Sequence, residues 1–162
     1  MGAVGGGSAG AERAPLIEDA DDPALVRSLF REYVDSLGVD LSFQELEAEL
    51  AALPGGYDVL LVARVDGEPA GCVGVRPQEG DACELKRLYV RPAGRGLGLG
   101  RSLTLEAIAR ARALGYARMR LDTLPGMDAA QELYRTLGFV EIEPYRHNPI
   151  VGSRFMELDL RR

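Results

Sequence analysis

Residues 88–103, with the sequence LYVRPAGRGLGLGRSL, constrain the fold of this chain more than any other segment. A predicted strand passes here into a turn with four glycines, and the turn opens directly into a helix. Such a junction leaves unpaired backbone N–H groups at the positive end of a helix, and glycines let an anion approach the main chain. The segment therefore predicts a strand, an anion-binding turn and a helix in immediate succession.

Two nucleotide-binding motifs do not fit this turn. In the register of a Walker P-loop, Arg95 stands where the first glycine belongs and Arg101 where the lysine belongs. The GxGxxG fingerprint fails in every register, for example because Leu99 replaces its last glycine. What the turn does contain is R-x-x-G-x-G, at Arg95, Gly98 and Gly100.

Hydrophobic periodicity predicts the order strand, two helices, three strands, helix, strand, helix and two strands. Ser42 and Glu45 form a capping box for the second helix, and Asp128 is the predicted N-cap of the fourth. The consecutive strands at 58–65, 70–76 and 83–90 predict an antiparallel meander. This order is typical of an α+β or mixed α/β layer architecture around a central sheet.

Length and composition narrow the class of protein. The chain has 162 residues, of which 46% are hydrophobic, which suits one domain over 15–162 after a flexible Gly/Ala-rich leader at 1–14. No apolar run has the length of a membrane span, so we expect a cytoplasmic protein. Two cysteines do not make a disulfide framework, so we expect both to be buried free thiols. The net charge of −6 argues against nucleic acid as a partner.

The charges are unevenly distributed. Residues 84–120 hold nine lysine and arginine side chains against two glutamates, which predicts that this middle segment meets an anion. Residues 1–63 instead hold 12 acidic and 3 basic side chains. If these acidic groups form one surface, they would attract cationic or polyamine-like ligands; the alternative is a solvated helix face.

At the R-x-x-G-x-G turn the chain resembles the GNAT superfamily of acetyl-CoA-dependent N-acetyltransferases. A second segment, AAQELYRTLGFVEI, is similar to the second motif of that family and follows at the expected distance. With the predicted strand order, the resemblance covers residues 16–160. It implies a GNAT-like fold with a central, mostly antiparallel twisted sheet of about six or seven strands and about four helices. It also implies acetyl-CoA as cosubstrate, without a metal.

The resemblance implies which residues hold the cofactor. The backbone of Leu88 and Val90 would pair with the pantetheine arm, and a bulge in this strand would aim both Leu85 and Leu88 inward. The amides of the turn would hold the pyrophosphate. Met127 departs from the family, many members of which carry asparagine at this position. The predicted cofactor residues are Leu88, Tyr89, Val90, Arg95, Gly96, Leu97, Gly98, Leu99, Gly100 and Arg101.

Transfer to an amine requires a base, because an alkyl amine with a pKa near 10 is protonated at neutral pH. By resemblance, Glu84 is the candidate base and Tyr134 the candidate acid that protonates the departing thiolate. The alternatives are that Glu84 pairs with Lys86 or Arg87, and that Tyr134 is a core aromatic residue. Direct transfer gives neither cysteine a role as nucleophile.

For the acceptor, the resemblance implies the first two helices and the last strand pair. Arg146 would clamp a substrate carboxylate and favour amino acids, which is the opposite of the cationic acceptors suggested by the acidic segment. The single histidine, His147, suits a structural turn and not a metal site. The candidate acceptor residues are Phe30, Tyr33, Arg87, Tyr145, Arg146 and Asn148.

The sequence therefore predicts an acetyltransferase that acts on the primary amine of a small molecule, and a homodimer is among the assemblies open to it. Two alternatives stay open: an acetyltransferase that modifies a protein or peptide, and an acyl-CoA sensor without catalytic activity.

Overall fold

A computed structural model of the protein describes residues 15–40 and 45–162, and in these residues seven strands and four α-helices follow each other in the predicted order. The leader at 1–14 and Ser42 of the capping box lie outside the described residues. The elements are β1 Leu16–Asp19, α1 Pro23–Ser36, α2 Leu46–Ala52, β2 Val59–Val65, β3 Glu68–Pro77, β4 Ala82–Val90, α3 Leu99–Ala113, β5 Arg118–Thr123, α4 Asp128–Thr136, β6 Val140–Ile142 and β7 Arg154–Asp159.

The strands form one sheet in the order β1-β2-β3-β4-β5-β7-β6. Every neighbouring pair is antiparallel except β4 and β5, which are parallel and are connected through α3. One core lies between the sheet and α3, where Leu103 and Ala107 are fully buried. A second core on the opposite face is built from α1, α2 and the sheet. The predicted mixed α+β fold with a mostly antiparallel sheet is confirmed.

The helix caps agree only in part with the sequence. Asp22 precedes Pro23, a pattern that predicts a helix start, and it does cap α1, since its Oδ1 accepts a hydrogen bond of 3.0 Å from the backbone N of Ala24. The prediction for Asp128 is wrong, because Asp128 is the first residue of α4 and Met127 is its N-cap. Glu45 has a left-handed backbone with φ of 53° and is the N-cap of α2, so it is not the third helical residue that the predicted capping box requires.

A bulge interrupts β4 where the sequence suggested one. Cys72 pairs with Tyr89 but Gly74 pairs with Lys86, so two residues of β4 stand opposite one residue of β3. Arg87 occupies the bulge with φ of 61°. As a result Leu85 and Leu88 both pack against the core beneath α3.

The parallel pairing of β4 with β5 covers only the first part of both strands. It runs from Ala82, opposite Arg118, to Glu84, opposite Arg120. Beyond these residues both strands continue, but they no longer pair with each other. The edge of β4 that faces β5 is therefore open from Leu85 onward. None of the helices in the described part of the chain combines the length and apolar composition that a bilayer span requires.

Candidate functional site

The gap between β4 and β5 forms a cleft that receives side chains from four elements. Lys86 and Arg87 line it from β4, Asp122 from β5, Tyr134 from α4 and Tyr33 from α1. The bulge is the reason that the consecutive residues Lys86 and Arg87 both reach this space. Tyr33, Arg87, Leu88 and Tyr134 are thus brought together as the sequence suggested, while Lys86 and Asp122 were not predicted.

The glycine-rich turn ends in α3 and carries a set of free backbone donors. Gly96 and Gly98 have φ of 84° and 73°, a conformation that glycine adopts without strain. Among the residues that the structure describes, no backbone carbonyl accepts from the N–H groups of residues 96–101. Leu99 is buried in the core and anchors the turn, while Arg95 and Arg101 are exposed. A Cβ on Gly100 would lie 3.7 Å from Leu133, so the turn adjoins α4.

Tyr134 is buried, with its ring centroid 5.5 Å from that of Phe139. Its hydroxyl forms no hydrogen bond with any described residue, although the residue lines the cleft. Burial raises the pKa of Tyr134 above its ordinary value, with smaller contributions from Tyr33 and Asp122. The phenol therefore keeps its proton at neutral pH, as a proton donor must.

Glu84 is 1% exposed and its carboxylate is enclosed by donors. Oε1 accepts a hydrogen bond of 2.8 Å from Nε of Arg76, and Oε2 accepts one of 2.6 Å from the hydroxyl of Tyr145. Arg146 also donates to Oε2 and lies 3.3 Å from Oδ1 of Asp122. The alternative partners Lys86 and Arg87 are wrong, since neither forms an ion pair with Glu84 within the described chain.

Arg87 forms a second buried pair, with Glu49 of α2. Its Nη2 and Nε lie 2.9 Å and 3.1 Å from the two carboxylate oxygens, and Tyr57 donates a third hydrogen bond of 2.9 Å to Glu49. Burial by itself would raise the pKa of Glu49, but the hydrogen bonds and charge of Arg87 outweigh it and hold that pKa below 4.5. Arg87 is thus a structural anchor of α2 at the wall of the cleft.

The remaining predicted residues separate into two groups. Tyr145, Arg146 and Asn148 lie together beside Asp122, to whose Oδ2 Asn148 donates a hydrogen bond of 3.2 Å. Phe30 is fully buried in the second core against Tyr57 and does not line the cleft, because the apolar face of α1 turns it toward the sheet.

The side chain of Tyr89 also points away from the cleft. It lies in the second core, and its hydroxyl donates a hydrogen bond of 2.9 Å to Glu32. Only the backbone of Tyr89 belongs to the open part of β4.

The acidic residues of the first 63 positions do not form one unpaired surface. Five of them pair with arginines on other elements or on neighbouring turns, which reduces the long-range attraction for cations. These pairs are Glu18 with Arg64, Asp19 with Arg110, Glu32 with Arg91, Glu47 with Arg31, and Glu49 with Arg87.

Sequence reasoning missed Lys86, Asp122, Arg76 and Glu49. A signal existed for Lys86, since a lysine in the run CELKRLYV is predicted to sit in the middle of a central strand. Charged side chains are rarely buried unless they are paired. No comparable signal existed for Arg76 or Glu49, whose partners are distant in sequence. Among residues 15–40 and 45–162, no cluster of three His, Cys, Asp or Glu side chains is placed to hold a metal ion.

Comparison with known proteins gives concordant matches. Residues 24–139 match the Acetyltransferase (GNAT) family. An uncharacterized N-acetyltransferase of Schizosaccharomyces pombe is 43% identical over 91% of this chain and 92% of its own length. A GNAT-family acetyltransferase from Staphylococcus aureus shares the fold, with a TM-score of 0.72 and 20% identity over 91% of this chain and 99% of the other.

A further solved structure has the cofactor named with it. YncA from Salmonella typhimurium, described as a putative acetyltransferase with its cofactor acetyl-CoA, is 26% identical with a TM-score of 0.67, covering 91% of this chain and 94% of that one.

A parallel strand pair that separates beside an amide-lined helix start, together with these matches, defines an acyltransferase that acts as an N-acetyltransferase. The chain belongs to the Acetyltransferase (GNAT) family. This family uses acetyl-CoA as acyl donor, so the resemblance inferred from the two sequence motifs is confirmed.

Proposed function

We propose that the protein transfers the acetyl group of acetyl-CoA directly to the primary amine of a small molecule, with both substrates bound at once. The observation that carries the proposal is the position of Tyr134: its unpaired phenol lies in the same cleft as the open edge of β4. A thioester bound along that edge would meet a proton donor where β4 and β5 separate.

The described residues fit the cofactor. The free N–H groups of residues 96–101 suit a pyrophosphate, because the helix dipole and several amides then act on one anion. The open backbone of Leu88 and Val90 suits the amides of a pantetheine arm. Arg95 and Arg101 are exposed and would add charge beside the phosphates. Met127 lines the cleft but has no amide side chain to offer.

Glu84 is the proposed acceptor of the proton that the amine must lose. Both carboxylate oxygens of Glu84 already accept hydrogen bonds from arginines, so we expect one of these arginines to move aside when the amine transfers its proton. Arg146 is the candidate, since it lies in the segment between β6 and β7 and also contacts Asp122. Oε1 of Glu84 accepts one hydrogen bond from a described residue and retains capacity to accept another from water.

Tyr134 is the proposed donor of a proton to the departing sulfur. As the carbon–sulfur bond breaks, the sulfur gains negative charge and the phenol proton neutralises it. Because burial disfavours the phenolate, we expect Tyr134 to regain a proton from solvent before the next turnover.

An acceptor screen tests this proposal. Free thiol released from acetyl-CoA is measured with a panel of small amines and of peptides, for the native protein, Glu84→Gln and Tyr134→Phe. We expect release with small amines and a lower kcat in both variants. Full kcat in both would refute the two roles even though the family is established.

The same screen decides between the alternatives. Greater activity on peptides than on free amines would identify a protein acetyltransferase. Binding of acetyl-CoA without thiol release on any amine would identify a sensor.

A further inference from the structure

Lys86 is a buried cation without a counterion. The residue is 5% exposed, and it stands opposite Gly74 in the sheet, on the side of α1 and α2. Its ammonium forms no hydrogen bond and no ion pair within 4.0 Å in the part of the chain that the structure describes, yet the residue lines the cleft. A charge removed from water is costly unless a partner replaces the solvent.

The neighbouring carboxylates are already engaged by other cations. Glu84 is bound by Arg76 and Arg146, and Glu49 is bound by Arg87. Asp122 accepts from Arg146 and Asn148. Charged and titratable groups surround Lys86 on several elements: Arg76 of β3, Glu84 and Arg87 of β4, Asp122 of β5, Glu49 of α2, Tyr33 of α1, Tyr134 of α4, and Arg146 before β7.

When Lys86 is protonated, this cluster holds four cationic groups and three carboxylates, so one positive charge is uncompensated. The cluster also holds a second unused donor, because Nε of Arg146 is buried and has no acceptor among the described residues. Both unused groups are donors only. The missing component is therefore an anionic hydrogen-bond acceptor.

We propose that Lys86 binds a carboxylate of the acceptor, and that the acceptors of this enzyme are small amines that carry a carboxylate, such as amino acids. The inference rests on the proposed function, in which the acceptor amine enters this cleft. It favours the carboxylate-bearing class of acceptor over the cationic class, since five of the twelve acidic groups of the first 63 residues are paired with arginines while the cleft has an unmatched cation.

Burial supports this assignment, since it lowers the pKa of Lys86 to about 7, with the nearby arginines acting in the same direction and Glu84 opposing them. A bound carboxylate favours the charged ammonium and would raise that pKa. Carboxylate binding should therefore be strongest below pH 7 and weaken by up to about tenfold for each pH unit above it, because only protonated Lys86 binds.

Matched pairs of acceptors test the proposal. β-Alanine is compared with ethylamine and γ-aminobutyrate with propylamine, since the members of each pair have amines of similar basicity. We expect kcat/KM to be about 10- to 100-fold higher for the carboxylate member of at least one pair, the factor that a hydrogen bond between charged groups supplies. Lys86→Met should remove this preference, so that the two members of each pair react with equal kcat/KM.

Two controls show whether Lys86 binds the carboxylate itself, and does not act only through the net charge of the protein or through catalysis. Arg118→Met removes one positive charge from an exposed pair with Asp81, outside the cleft, and should keep the preference. Binding of butyrate, which has no amine, is measured by calorimetry between pH 6 and pH 9. Its dissociation constant should rise with pH in the native protein and be larger, without that pH dependence, in Lys86→Met.

Equal rates within every pair would overturn the proposal, as would a loss of rate on all amines alike in Lys86→Met, which would indicate proton transfer by Lys86. The failure of the proposed function looks different: no thiol is released with any amine, while butyrate binding through Lys86 is still measurable.

Discussion

Replacing Tyr134 by phenylalanine removes one hydroxyl from the cleft and nothing else. Because that hydroxyl forms no hydrogen bond with a described residue, no bond of the usual size of about 1 kcal/mol is lost on substitution. The ring contact with Phe139 is retained. We therefore expect the free energy of unfolding, measured by urea denaturation, to change by less than about 1 kcal/mol.

The effect on catalysis should be much larger. A positioned general acid contributes about 100-fold or more, which corresponds to about 2.7 kcal/mol of transition-state stabilisation. Thiol release from acetyl-CoA at saturating acceptor should thus fall about 100-fold, with little change in the affinity for acetyl-CoA. Burial keeps the pKa of Tyr134 high, so its protonation should not limit the native rate between pH 6 and pH 9.

A matched control separates the cleft from the rest of the surface. Tyr116 donates a hydrogen bond to Asp58, and neither residue lines the cleft, so Tyr116→Phe loses a hydroxyl but should keep kcat. If Tyr134→Phe retains full kcat, the hydroxyl is not a proton donor and Tyr134 is a packing residue.

Three further predictions concern the walls of the cleft and the turn. Glu49→Gln should destabilise the protein by about 3 kcal/mol in urea denaturation, because buried Arg87 loses its charged partner. Since the folded pKa of Glu49 is depressed, the stability that this ion pair contributes is present above pH 4.5. The native protein should lose that stability as pH falls, whereas the variant should not. Gly98→Ala should cost about 1 kcal/mol of stability, because φ is 73° although the space around it is open, and no change in the urea midpoint would contradict this. Arg95→Gln should raise the dissociation constant for acetyl-CoA a few-fold at low salt and less at high salt, because Arg95 is exposed and salt screens its charge. Calorimetry at two ionic strengths measures this difference. An effect that does not depend on salt would mean that Arg95 makes a buried contact instead.

Local patterns were enough to predict most of the fold. Each strand and helix has its own periodicity, and Gly138, with φ of 101°, ends α4 as its sequence position predicts. The bulge in β4 was also predictable, because Leu85 and Leu88 cannot share one face of a regular strand. The caps were less predictable: the exact first residue of a helix depends on neighbouring backbone that the sequence pattern does not show, as Asp128 illustrates.

In the candidate site too, features set by neighbouring residues were predictable, and contacts between distant residues were not. The glycine turn was predicted from one contiguous motif, because backbone donors and a helix start are local features. Glu84 and Tyr134 were predicted from the family resemblance, and their catalytic roles stay predictions. The partners of Glu84 come from β3 and from the segment before β7, up to 62 residues away in the chain. Phe30 was assigned to the acceptor although its helix face buries it.

By itself, the sequence determined the order of the elements, the glycine-rich turn before α3 and the family, since each of these is encoded in contiguous residues whose spacing sets the backbone. Only the tertiary structure decided which charges neutralise one another and that Lys86 has no partner. Ion pairing depends on distances between side chains from different strands and helices, and those distances are set when the sheet and its two cores assemble.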